Sequence, residues 1–201
     1  LTSLAIGSLV QLTNIANVIL LIWSIPASAL ESVREKVDRF LTCDNDHKLD
    51  DVRLDKIVWI AALCMFVLTA SLSYFVYQAH PHVPDESQYI FQANYMAAGQ
   101  LTVAPPLVPE AFSMYMVPTQ EPRWFGIFPP AWPAILALGT LIGASWLVNP
   151  LFAGLTVLAA YLLFQQLYSL RFARMATVLL CCSPWFIFMG MSYMSHMATL
   201  F

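Results

Sequence analysis

Apolar residues in this chain gather into long uncharged runs divided by two polar stretches, and that alternation sets the expected architecture. Residues 1–30 carry no charge. Leu4 to Leu30 is long enough to cross a hydrocarbon core of about 30 Å, which takes roughly 20 helical residues. Gln11, Asn14 and Asn17 fall on one helical face. Two readings remain open there: a transmembrane helix with one face on protein, or an interfacial helix. Residues 31–56 hold Arg34, Lys36, Arg39, Lys48, Arg53 and Lys56 among eight acids, a solvated cytoplasmic loop. Ile57 to Ala79 is again uncharged and is expected to span the bilayer. Its basic flank puts its start in the cytoplasm and its end outside.

Residues 80–145 read as a long external loop, punctuated by prolines from Pro81 to Pro130. Within it, 86–98 reads as a short helix: Pro84-Asp85 opens it, Gln88 follows three residues on, and Gly99 stops it. Tyr89, Ala93, Met96 and Ala97 form its apolar stripe. Trp124 to Leu170 is uncharged. It could form two short spans turning at Asn149-Pro150, or a surface helix at 130–145 followed by one span at 146–170. A single span leaves Arg171 and Arg174 in the cytoplasm, so the positive-inside bias favours it. The last helix is expected over 172–195, running outward, which brings His196 to the same side as Asp85. The fold class is therefore all-α: polytopic integral membrane helices with a long external loop that carries short interfacial helices. The domain layout is 1–30, the charged segment 31–56, and a module over 57–201 with spans near 57–79, 146–170 and 172–195.

Composition sharpens this. The chain is 59% hydrophobic and 10% charged, with mean hydropathy +0.67, against about 25% charged residues in a soluble domain. It reads as an integral membrane protein, partnered by the lipid bilayer. No basic face outside 34–56 suits a nucleic acid. Cys43, Cys64, Cys181 and Cys182 form no CxxC and point to neither a disulfide framework nor a zinc site. Asp44 to Lys48 has a calcium-loop cadence but lacks the turn glycine. The chain starts at Leu1 and stops in an apolar run; it reads as a fragment of a longer protein, expected to be inactive alone.

Candidate chemistry is sparse. Outside 31–56 the acids are Asp85, Glu86, Glu110 and Glu121. Asp85 and Glu86 are adjacent at the outer end of the first secure span. One reading makes Asp85 an N-cap and Glu86 a first-turn acid; the other makes the pair a general base or electrostatic anchor at the lipid–water boundary. Arg123 is the only Lys or Arg in the external segments. It suits bidentate phosphate contacts or an interfacial anchor beside Trp124. Trp124, Phe125, Phe128 and Trp132 suit a headgroup belt or a groove for a lipid chain. His196 suits contact with an acceptor or a phosphate, or a capped helix end.

The order of these features carries a resemblance. Val83-Pro84-Asp85-Glu86-Ser87-Gln88-Tyr89-Ile90-Phe91-Gln92-Ala93 precedes Ala98-Gly99-Gln100-Leu101. Trp124-Phe125-Gly126-Ile127-Phe128-Pro129-Pro130-Ala131-Trp132-Pro133 follows, then Val148-Asn149-Pro150-Leu151. This arrangement resembles the GT-C superfamily of membrane glycosyltransferases, closest to bacterial family 39 members such as the dolichyl-phosphate-mannose-protein mannosyltransferase-like and aminoarabinose-transferase-like proteins, which implies a multi-pass protein of a bacterial inner membrane. The resemblance covers roughly 57–201, the N-terminal part of such an enzyme. It implies a sugar donor on a polyprenyl phosphate and a lipid, glycan or protein acceptor outside the cytoplasm. It implies a catalytic role for Asp85 with Glu86 beside it, and substrate contacts from Arg123, Trp124 and His196. The family often has a second external acid; His196 stands near that position, and a divalent metal is left open. The competing expectation is a non-enzymatic polytopic protein, either a transporter component or a structural subunit.

Overall fold

The computed structural model describes residues 2–41, 54–112, 117, 119–120 and 123–201. The chain is mostly helical and divides into two compact units, Leu1–His47 and Lys48–Phe201.

The first unit holds α1 (Thr2–Ser24) and α2 (Ala27–Leu41). The apolar run to Leu30 is thus not one helix. Ile25 precedes Pro26, whose ring disfavours the helical conformation in the residue before it, and the chain restarts at Ala27. The charged stretch is likewise not a loop from residue 31, because the helix persists to Leu41. Apolar positions 30, 33, 37 and 40, three and four residues apart, supply a helical period that the stretch's overall polarity hides. The loop resembling a calcium site lies outside the described residues.

The second unit is built on α3 (Lys56–Phe75), α6 (Val148–Leu167) and a bent pair, α7 (Leu170–Cys181) and α8 (Pro184–Met191). Two helices, Lys56–Phe75 and Ser145–Leu167, are long and apolar enough to cross a membrane, and the bent pair makes a third if it is counted as one span. The expected single helix over 172–195 is broken and shorter. Its two halves meet at 62°, because Pro184 cannot donate into the preceding turn and Ser183 accepts from the Phe186 N–H to cap the second half. The expected span to Ala79 also ends early, at Phe75, and Gln78 and Ala79 both turn through left-handed backbone at φ 53°.

One face of α3 is buried, at Val58, Ala62, Met65, Thr69 and Ser73, a spacing of three and four residues that marks a helix–helix seam. Trp59, Ile60, Leu63, Val67 and Phe75 on its other faces are exposed, as a lipid-facing surface requires. Small residues let the backbones approach. A Cβ on Gly154 of α6 would lie 3.1 Å from the Ala62 carbonyl oxygen of α3, and one on Gly190 of α8 would lie 2.8 Å from Thr69 Cγ2. Dispersion and shape, rather than water exclusion, hold such contacts in a bilayer.

Polar contacts set the helix directions. At one end Asp55, just before α3, pairs with Arg174 of α7, whose side chain is only 4% exposed as a residue. At the other end the Ser73 hydroxyl donates to the Trp146 carbonyl, 3.3 Å, in the 3-10 turn Ser145–Leu147 before α6. So α6 runs antiparallel to α3, and α7–α8 returns to the end where α3 finishes. Asn149 and Pro150 lie in the first turn of α6 and make no turn between spans.

Between α3 and α6 the chain forms α4 (Pro84–Ala97), a small hairpin of β1 (Thr119–Gln120) and β2 (Arg123–Trp124), and α5 (Ala131–Leu141). The eleven residues of α5 make about 16 Å of helix, too short to cross. It packs along α4 through Trp132, Leu136 and Ala137 against Tyr89 and Ala93. The short α9 (His196–Leu200) closes the chain.

Candidate active site at the common helix end

The candidate site grows from the first turn of α4. Val83, in extended backbone, is the N-cap, and Pro84 takes the first helical position, where a missing N–H costs nothing. Asp85 is therefore not the cap. Glu86 performs the reach-back instead: its Oε2 accepts from the backbone N–H of His82 at 2.7 Å and of Val83 at 3.4 Å. Its Oε1 accepts from the backbone N–H of Tyr193, 3.1 Å away, beyond the end of α8. Glu86 is 1% exposed. A buried carboxylate needs such donors, and the positive end of α4 adds to them.

The paired acids thus separate into unlike environments. Glu86 joins the loop after α3, the start of α4 and the segment after α8. Asp85 is half-buried and makes no hydrogen bond or ion pair with any described residue. Of the two acids named in the sequence, Glu86 has both oxygens engaged by the main chain.

The segment Ser192 to His196 is locked from several sides. Asn149 donates its amide to the carbonyls of Ser192 and, at 2.8 Å, Met194. Trp132 Nε1 donates to the Tyr193 carbonyl at 2.9 Å. The Tyr193 hydroxyl donates to the Ala79 carbonyl at 2.8 Å. Burial pushes this phenol up to about 12; the Glu86 charge adds to the shift and a hydrogen bond with Ser145 opposes it. Burial, and then Glu86, also raises Tyr77, whose carbonyl lies 3.0 Å from the His82 ring Nε2. The Tyr89 hydroxyl, one turn along α4 from Asp85, lies 3.4 Å from Ser195 Oγ. His196, next in sequence, is exposed, with its ring 6.1 Å from that of Trp185. The first turns of α4 and the segment after α8 thus lie together, joined through Glu86–Tyr193 and Tyr89–Ser195.

Trp124 and Arg123 arrive differently. Trp124 exchanges backbone hydrogen bonds with Val103, at 2.8 and 3.0 Å, and its ring packs 4.6 Å from Phe91 of α4. It fastens the loop to the helix. Arg123 beside it is exposed, and its side chain makes no polar contact with a described residue. From Gly126 to Phe128 the chain lies over α4, where the Gln92 amide donates to both carbonyls, at 3.1 and 3.0 Å. A Cβ on Gly126 would come within 2.6 Å of Gln92 Cγ, so only glycine fits this crossing. Phe128 stacks on Tyr89 at 4.6 Å.

The sequence does not single out Gln92, Asn149 or Tyr193 as site residues. Each is polar in an apolar setting, which is a weak signal alone; each becomes prominent through the main-chain groups it satisfies. Among the described residues, no three His, Cys, Asp or Glu side chains converge to hold a metal. No protein-family model, no curated protein and no solved structure matches the chain.

Proposed function

We propose that this chain is part of a membrane glycosyltransferase of GT-C type, moving a sugar from a polyprenyl-phosphate donor to a lipid, glycan or protein acceptor on the non-cytoplasmic side. The observation that carries the reading is the division of labour between two adjacent acids. Glu86 is consumed by main-chain donors, while Asp85, one residue away on the same turn, stays half-buried with no described partner. A carboxylate fixed at its backbone and free at its oxygens suits a general base.

In this reading Asp85 takes the proton of an acceptor hydroxyl as its oxygen attacks the anomeric carbon. The bond from that carbon to the phosphate oxygen breaks, and the lipid phosphate departs with the electron pair. The proton ends on the Asp85 carboxyl. Arg123 and His196, both exposed in segments beside α4 or at the same helix end, are the candidate partners for the phosphate. Trp124 acts indirectly, by tying the Arg123 hairpin to Phe91.

The test is Asp85→Asn in the intact protein, reconstituted with a radiolabelled polyprenyl-phosphate sugar. Transfer is expected to fall about 10²–10⁴-fold, with helical content unchanged. Undiminished transfer removes Asp85 from the mechanism.

A further inference from the structure

The helix α2 is amphipathic, and the described residues of its apolar side are exposed. Val33 and Val37 are 57% and 46% exposed, and Leu30 and Phe40 share their helical register. Fifteen residues make a helix that is marginal in water by itself, so this stripe needs a cover. The neighbouring element says which. The described stretch Leu12–Leu21 of α1 is an apolar helix, and Leu12, Ile15, Val18, Ile19, Leu20 and Leu21 are exposed around it. Apart from the face marked by Asn14 and Asn17, this stretch is apolar around its circumference, and such a helix belongs in lipid or in a large core. Only Ile25 and Pro26 separate α1 from α2, and Trp23, 87% exposed, stands at the junction, where an indole suits the headgroup level. If α1 is in lipid, α2 starts at the bilayer boundary.

The charges fit the same occupant. By the 3.6-residue period, Arg34 and Lys36 flank the apolar stripe on its two sides, while Glu31, Glu35 and Asp38 lie away from it. Long basic side chains at the borders can lay their stems on lipid and keep their heads among phosphates. Acids and bases balance on this helix, three of each, so apolar insertion rather than anionic-lipid attraction drives the contact.

We infer that α2 lies in the membrane–water interface, with Val33 and Val37 inserted among acyl chains and the charged face in water. The experiment places photoreactive benzoylphenylalanine singly at 32, 33, 35 or 37 in the intact protein, in phosphatidylcholine vesicles. After irradiation the adducts are identified by mass. Lipid adducts severalfold more abundant at 33 and 37 than at 32 and 35 are the expected result. Adducts at 33 and 37 to a second copy, or to another segment of the same chain, overturn the inference. Equal labelling at all four positions overturns it too, as does the lack of lipid adducts at 33 and 37. None of these outcomes depends on sugar transfer.

Discussion

Glu86 and Asp85 show how one residue step along a helix changes a carboxylate's task. At the third helical position a glutamate is long enough to fold back on its own cap, and the cap here has a second donor beside it in His82. Tyr193 then uses the remaining oxygen. Glu86→Gln replaces one acceptor oxygen by a donor that faces an N–H. Losing a charge-assisted bond of this kind costs about 1.5–3 kcal/mol, so the variant is expected to melt lower than the parent in detergent. Asp85→Asn breaks no bond to a described residue, and its melting is expected to match the parent. Equal destabilisation by the two would sink the division of labour. Tyr193 gives a pH signature. Its folded pKa of about 12 exceeds the ordinary 10.0. The folded state therefore keeps a proton that the unfolded chain loses, and the contribution is whole below pH 10 and fades as pH rises towards about 12. A shift of this size corresponds to ~2–3 kcal/mol. Melting measured across that interval is expected to fall more steeply for the parent than for Tyr193→Phe.

The elements are held by small residues as much as by large ones. Gly190 lets α8 close on α3 and α6 together: a Cβ there would sit 2.8 Å from Thr69 Cγ2 and 3.2 Å from Ala153 Cβ. Thr69 is fully buried and donates to the Met65 carbonyl at 2.7 Å, so it has little room to withdraw. Gly190→Val is expected to destabilise the bundle by about 1–3 kcal/mol, read as an earlier unfolding transition in detergent. An unchanged transition would show that α8 is not seated as described. This helix also carries the segment that supplies the Tyr193 N–H, so the same variant should loosen the Glu86 contact. The bend between α7 and α8 has its own cause, Pro184 with a Ser183 cap. Both residues were visible in the chain, yet uniform hydrophobicity across 175–191 favours reading one continuous helix.

For the molecule as a whole, the outstanding quantity is sidedness. Six basic residues lie between Arg34 and Lys56, and Arg171 and Arg174 lie at the α7 end that meets Asp55. By the positive-inside rule that end is expected in the cytoplasm and the Glu86 hub outside, the orientation on which the proposed reaction side rests. A cysteine at Ser87, half-buried on the first turn of α4, is expected to react with a membrane-impermeant maleimide from outside intact cells. Labelling from the cytoplasmic side alone would reverse the orientation and with it the proposed reaction side.

Hydrophobic runs, their lengths and their flanking charges were enough to give helices near 57–79, 86–98, 130–145 and 146–170, because these signals are local and their period survives without a partner. They were also enough to bring Asp85 and the end of the last helix to one side, since that follows from counting crossings. The helix breaks at Pro26 and Pro184 were written locally but outweighed by hydrophobicity. What each acid does was not written locally at all. Asp85 and Glu86 look alike in the chain, and they differ only because backbone N–H groups from residues 82, 83 and 193 converge on one of them. A contact spanning 107 positions has no periodic trace; it exists only once α3, α4 and α8 have been packed to a common end.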